Sequence, residues 1–401
     1  MCSTPYHQQN IARDKSGIEQ KALPPWASPH AFPEKPVEHE YGYLKRRRRV
    51  GCDGWGELAH AVIKDKNGSI RLVWTPDHPR MVPPEEVPGL FDTIVQRNTR
   101  RYTQVRNWSI ASTLLWGLLG IVNLSRPALL PIYLINIFAL GVLPLAQSIW
   151  ELRKLENYTL DKMAQDVATA RYRAWTGSQK ALVTWGLCVS ILLIALLQFF
   201  TTISSIILRK ELPIEAAGLV KDAVWEGEVW RLLTGPLLHA NFLHLYFNVL
   251  TLLVLGSVVE AMAGWALFSL LLLLSIVSGS IFSLLLLPAT SVGVSGGLMG
   301  LIGFLTMLGY FHRKHLPPGF LRSMLYSIAL IAALGVIAFS YIDNAAHLGG
   351  LVAGVILGLV FIRGNDPIFP IPTNKIAYYA GVFSVITLLA AVLLTIGLIM
   401  R

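Results

Sequence analysis

Charge is scarce in this sequence. Only 14% of its 401 residues are Asp, Glu, Lys or Arg, while 53% are hydrophobic, and the mean hydropathy is +0.52. Soluble domains draw about a quarter of their residues from those four charged types, so a soluble globular protein is excluded. Cysteine is scarce too. Cys2, Cys52 and Cys188 are scattered, which excludes a disulfide framework and offers no metal-ligand spacing. Residues 1–30 are polar and lack the apolar centre of a secretory leader. The first membrane segment is therefore expected only near residue 107, behind a soluble N-terminal region.

What the chain has instead is long charge-free windows, each of the length that crosses a bilayer as a helix. They run over 107–125, 127–150, 181–208, 232–259, 261–287, 292–311, 323–342, 344–362 and 376–400. The break between the fifth and sixth rests on Pro288-Ala289-Thr290-Ser291. The formal net charge of +10 would point to nucleic acid in a soluble protein. In a multi-span protein it reads instead as the positive-inside rule, and no nucleic-acid partner is expected. With the N-terminus in the cytoplasm, loop 151–180 lies inside with Arg153, Lys154, Lys162, Arg171, Arg173 and Lys180. Loop 312–322 also lies inside, with Arg313, Lys314 and Arg322 and no acid. Loop 209–231 lies outside with four basic and five acidic residues, and the turn near 343 carries only Asp343. The C-terminus is then outside. The absence of targeting segments favours a bacterial plasma membrane.

The N-terminal part divides by composition. Residues 1–54 read as a disordered, basic region, rich in Pro, His, Gln and Glu up to residue 40 and ending in Lys45-Arg46-Arg47-Arg48-Arg49. Residues 55–105 read as a small accessory domain. Ala59–Ile63 and Ile70–Trp74 flank Asn67-Gly68, a hairpin signal. Pro76, Pro79, Pro83, Pro84 and Pro88 interrupt regular structure, and Leu90–Arg101 suits a short helix leading to the membrane. Residues 106–150 form a helical hairpin turning at Ser125-Arg126-Pro127, 151–180 a polar linker, 181–365 the main bundle, and 366–401 a further helix.

Four elements of the last seven windows bear on chemistry. The first, Gly293-Val294-Ser295-Gly296-Gly297, holds a hydroxyl between glycines. In a soluble α/β chain that suggests a nucleophile elbow, but the strands such a fold needs are absent. On its own it is a close-packing surface. The second is Ala345-Ala346-His347-Leu348-Gly349-Gly350, continuing to Gly354. Residues 347, 350 and 354 share one helical face, whose glycines admit a neighbouring backbone. His347 is an ionisable group within a span, a functional candidate by default. If the neighbour is the Ser295 helix, the two side chains come within hydrogen-bond reach. The third runs from His239 through His244 to Asn248. His244 and Asn248 are i and i+4 and project together, as oxyanion donors require. Zinc helices want histidines at i and i+4, which His239 and His244 do not offer, so no metal is expected. The fourth is Trp230-Arg231 before that helix and Gly256-x-x-x-Glu260-x-x-x-Gly264 at its far end, with Glu260 read as structural.

In this order, Trp-Arg, His-x₄-His-x₃-Asn, Gly-x-x-x-Glu, Gly-x-Ser-Gly and Ala-His-x-x-Gly resemble the rhomboid family of intramembrane serine proteases. The resemblance covers residues 181–365, or 181–400 with the last helix. It implies an all-α membrane fold with a six-helix core plus a seventh, C-terminal helix. It implies Ser295 as nucleophile and His347 as general base in a dyad without a third carboxylate. His244, Asn248 and the Ser295 N–H would form the oxyanion hole, and His239 would belong to the polar network of the cavity. Trp230, Arg231, Glu260, Gly293, Gly296, Gly350 and Gly354 would be structural. Many relatives carry Tyr or Phe four residues after the serine; here Met299 stands there, a thioether able to pack on the imidazole.

The reading that follows is an endopeptidase that cuts in or beside the transmembrane helix of single-pass proteins, with the bilayer as its other partner and no cofactor. A stable helix hides its carbonyls, so the substrate is expected to carry helix-weakening residues near the cut. The alternatives are a rhomboid-like scaffold that binds without cutting, and a transporter, which would call for repeats or charges at mid-membrane.

Overall fold

The computed structural model describes residues 23–45, 47–65, 68–126, 129–208, 211–362 and 369–401. Its N-terminal unit begins with two antiparallel strands, β1 (Tyr41–Lys45) and β2 (Arg48–Cys52), with Arg47 between them at a φ of 71°. Helix α1 (Trp55–Lys64) follows, and β3 (Ile70–Trp74) pairs with the other edge of β1, giving the order β2-β1-β3. This corrects two expectations. Residues 23–45 and 47–54 are not disordered, because Tyr41, Tyr43 and Leu44 of β1 pack against buried hydrophobic residues and Trp26 and Phe32 are buried. Ala59–Ile63 is helical, because Leu58 and Val62, at i and i+4, both point into the core beside Val73, Leu90 and Ile94. The stretch 1–22 and Asn67 of the expected hairpin turn lie outside the described residues.

The prolines after β3 give two short 3₁₀ turns, and α2 (Phe91–Val122) then runs unbroken from this unit into the first apolar window. Its first turns bury Thr93, Ile94 and Arg97, while its second half exposes Leu114, Leu115, Leu118 and Ile121, a surface suited to lipid. After the turn, where Pro127 lies outside the described residues, α3 (Leu130–Asn136) passes through a π-helical turn into α4 (Leu143–Glu156). The widened turn directly precedes Pro144, which has no N–H to donate. Gly141 lets α4's entry close onto Thr113 of α2.

Segment 151–180 is more than a linker. Helix α5 (Leu160–Ser178) holds the N-terminal unit against the bundle. Arg171 donates to the carbonyls of Trp26 and Ser28 at 2.7 Å each and to Glu86 at 2.6 Å. Trp26 meets Tyr172 edge-on at 5.0 Å and stacks on Phe369 at 5.3 Å.

The bundle begins with α6 (Leu182–Leu208). A loop carrying the short helices α7 (Pro213–Ala217), α8 (Lys221–Trp225) and α9 (Arg231–Thr234) follows, then α10 (Phe242–Thr251), a π-helical turn, and α11 (Ser257–Leu286). The fourth window therefore starts at Phe242 rather than 232. It also ends later than 259, at Gly264, whose φ of 79° and ψ of 158° break an otherwise continuous helical stretch with a kink. α12 (Ser295–Phe311), α13 (Phe320–Ile337), α14 (Asn344–Phe361) and α15 (Lys375–Ile399) complete it. Six of the described helical stretches are long and apolar enough to span a bilayer: Leu130–Glu156, Leu182–Leu208, Phe242–Leu286, Phe320–Ile337, Asn344–Phe361 and Lys375–Ile399. The chain is an integral multi-pass membrane protein. The C-terminal helix is an integral part of it: Gly381 sits on the backbone of Ala266, and Ser384, Leu388 and Val392 are buried.

Candidate functional site

Gly293 turns the chain into α12 with a φ of 109°. A side chain there would be strained, and its β-carbon would fall 2.5 Å from His244 Cε1 and 3.5 Å from Asn248 Nδ2. Glycine thus serves both the turn and the approach of the His244 helix. Ser295 is the first residue of α12, so its N–H, at the helix N-terminus, has no intrahelical partner.

α12 and α14 touch through their backbones. A β-carbon at Gly350 would overlap the Gly296 carbonyl, and one at Gly354 the Gly300 carbonyl. α11 joins them at Gly279, whose β-carbon would lie 2.9 Å from Ala346 O and 3.3 Å from Gly296 Cα. Small residues remove the side-chain layer that would otherwise hold the helices apart. His347 Nε2 and Ser295 Oγ consequently stand 3.0 Å apart. His347 Nδ1 has no hydrogen-bond partner among the described residues.

α10 brings the third group. Asn241 caps it, its Oδ1 accepting the His244 N–H at 2.9 Å. Asn248 is buried beside Gly293, two residues before Ser295, and its Nδ2 has no partner among the described residues, leaving an amide donor free at that turn. His239 packs edge-on against His244, ring centroids 5.1 Å apart. Its main chain is held at both ends by Gln198 of α6, whose Nε2 donates to His239 O at 2.8 Å and whose Oε1 accepts His239 N–H at 3.2 Å. Gln198 was missed by the sequence reading, although a glutamine inside an apolar span was the signal.

Of the remaining candidates, Arg231 and Glu260 lie outside this cluster. Arg231 is buried in the loop, where it donates to Glu228 at 2.5 Å and to the carbonyls of Glu215 and Gly218 at 2.8 Å each. Trp230 beside it stays partly exposed. Glu260 caps α6 from the far end of the bundle. Its two oxygens accept the Val183 and Thr184 N–H groups at 3.1 and 2.9 Å and the Thr184 hydroxyl at 2.8 Å. A carboxylate at a helix N-terminus satisfies orphan donors and the positive end of the dipole.

A second polar group near the Ser295–His347 pair also escaped the sequence reading. Asp343 accepts from Ser283 and Ser291, and Lys221 donates to Ser283 at 2.5 Å. Burial pushes the Lys221 ammonium down to about 8, against the opposing pull of the Asp343 carboxylate.

Comparison with known proteins gives the same region a family. Residues 226–364 match the rhomboid domain model. Over 132 residues the chain is 39% identical to the rhomboid protease GluP of Bacillus subtilis, covering 32% of this chain and 25% of that protein. It is 34% identical over 197 residues to the mitochondrial RHOMBOID-like protein 6 of Arabidopsis thaliana, 45% of this chain and 62% of that one. It is 32% identical over 164 residues to the rhomboid YdcA of Bacillus subtilis, 39% of this chain and 82% of that one. The chain thus spans less than two thirds of the first two and most of the third.

Proposed function

The chain belongs to the rhomboid family, and from that premise we propose that it is an intramembrane serine endopeptidase whose dyad is Ser295 and His347. The observation that carries this reading is the 3.0 Å contact between Ser295 Oγ and His347 Nε2, with the Asn248 amide, unpartnered among the described residues, beside the Gly293 turn that leads into Ser295. Nucleophile and base at hydrogen-bond distance, with donors converging nearby, are the requirements of acyl transfer.

In this reaction Ser295 Oγ attacks the scissile carbonyl carbon as His347 Nε2 takes its proton. The carbonyl oxygen becomes an oxyanion, which the Ser295 N–H, Asn248 Nδ2–H and the His244 ring donate to. The tetrahedral species collapses, the C–N bond breaks, and His347 returns the proton to the departing amine. His347 then deprotonates a water that attacks the acyl-serine ester. The ester C–O bond breaks, and Ser295 recovers its proton from His347. His347 serves as base and acid in turn, and among the described residues no group is hydrogen-bonded to its Nδ1.

The substrates are single-pass membrane proteins cut at or beside their transmembrane helix, where the helix is weak enough to unwind. The dyad end faces outside and the N-terminal unit the cytoplasm, in a bacterial plasma membrane. Two features support a common end for each set of groups. Leu219 and Ser291 form a two-bond bridge, so the outer loop lies beside the Ser295 entry. At the other end Phe369 meets both Trp26 and His312, the start of the basic loop.

The test uses the full chain in detergent with a fluorophosphonate probe and a model transmembrane substrate. Wild type is expected to label and cut, and Ser295→Ala to do neither. A folded wild type that neither labels nor cuts would leave the chain a non-cutting rhomboid-like binder. Asn248→Ala is expected to lower kcat about 10²-fold with little change in KM, as loss of an oxyanion donor does elsewhere. Steady-state kinetics on the same substrate check it, and a KM effect alone would remove Asn248 from the oxyanion hole.

A further inference from the structure

Ser291 stands four residues before Ser295, and Asp343 four residues before His347. These two outriders meet. Ser291 Oγ donates to Asp343 Oδ2 at 2.5 Å, and Ser283 at the end of α11 donates to the same oxygen. The other carboxylate oxygen accepts the Ala346 N–H at 2.8 Å, and the Asp343 carbonyl accepts the His347 N–H at 3.1 Å. One oxygen therefore holds the segment entering the serine helix, and the other holds the first turn of the histidine helix. Behind Ser283, Lys221 donates to its hydroxyl at 2.5 Å with only 5% of its surface exposed. Leu219, two residues earlier, exchanges backbone hydrogen bonds of 3.0 and 3.2 Å with Ser291.

Capping α14 needs only one acceptor oxygen. The second oxygen, its two hydroxyl donors and a buried ammonium are left over by that explanation. They join four chain segments at the level of the dyad through charge-assisted hydrogen bonds, which are short and strong. A dyad whose imidazole has no carboxylate on its far nitrogen among the described residues needs its geometry set by other means. We propose that Asp343 is the positioning residue of the dyad, fixing the serine segment against the histidine helix through Ser291, with Lys221 of the outer loop as its counter-charge. The inference rests on the reading of Ser295 and His347 as the dyad.

Three variants of the full-length protein test it: Asp343→Asn, Ser291→Val and Ser291→Thr. Asparagine keeps an oxygen for the Ala346 N–H but turns the other acceptor into a donor. Threonine keeps the Ser291 hydroxyl, and valine has the same shape without it. Cleavage of the model substrate is measured per site titrated with the phosphonate, so that misfolded protein drops out of the count. Asp343→Asn and Ser291→Val are expected to lower kcat per titrated site about 10- to 100-fold with KM within about twofold, since small misplacements of a reacting pair cost that much. Ser291→Thr is expected to stay within about threefold of wild type, its hydroxyl still reaching the carboxylate. A cap with no other role would reduce the titratable fraction and leave kcat per site unchanged, and that result overturns the proposal. So does a threonine variant as slow as the valine one. If wild type itself neither labels nor cuts, the dyad reading falls and this inference with it; a fully active Asp343→Asn in an active background overturns this inference alone.

Discussion

His347→Ala is expected to slow cleavage of a transmembrane substrate by about 10⁴-fold or more, leaving only what binding and oxyanion donors supply. The argument is geometric. Ser295 Oγ has its 3.0 Å contact with His347 Nε2, and an unassisted hydroxyl is a poor nucleophile at neutral pH. The ring gives up one hydrogen bond and stands half-buried, so the stability cost is expected to stay near about 1 kcal/mol. Turnover, phosphonate labelling and thermal unfolding of the same preparation check both parts. Residual turnover within about 100-fold of wild type would place the general base elsewhere, since general-base loss costs about that much or more.

Gly350→Val is expected to be damaging too, by less and for a different reason. The new β-carbon would overlap the carbonyl of Gly296, a backbone group that no rotamer change can move. α14 and α12 must separate, at an overpacking cost of about 1–3 kcal/mol. The proposed dyad spans those two helices, one partner on each. A displacement of about an ångström there costs about 10²-fold in rate. Both a lower unfolding temperature and a lower kcat per titrated site are therefore expected. The control is Gly186→Ala on α6, where a β-carbon meets nothing within 4 Å. That change is expected to be neutral or slightly stabilising, because alanine is the better helix former by up to about 1 kcal/mol. If Gly350→Val behaves like Gly186→Ala, the backbone contact does not hold the dyad.

The residues of the candidate site were legible in the sequence because each motif is short and local. Gly293 to Gly297 occupies one helix entry, and His244 and Asn248 one helical turn. Spacing along a helix is fixed by its geometry, so these residues announce which way they project. Asp343 was not legible, because its partners Ser283 and Ser291 lie 60 and 52 residues away and a hydroxyl in an apolar run has no distinctive pattern. Gln198 failed for the same reason, its partner being a main chain 41 residues on. In the N-terminal unit the errors were of another kind. Trp26 and Phe32 sit among prolines and charges that read as disorder, yet they are buried because α5, more than a hundred residues later, supplies Tyr172, Trp175 and Arg171. Ala59–Ile63 was too short a window to separate a strand from a helix by period alone.

The Glu260 cap also imposes an order on biogenesis. Val183 and Thr184 emerge from the ribosome 77 and 76 residues before the carboxylate that receives their N–H groups. Until α10 and the start of α11 have been synthesised and brought back to the same side of the bilayer, the leading turn of α6 must find its partners in water or lipid headgroups. The first bundle helix is thus completed only when the chain has crossed and returned, so the nascent protein acquires its lateral arrangement in the bilayer from a later segment rather than in order of emergence.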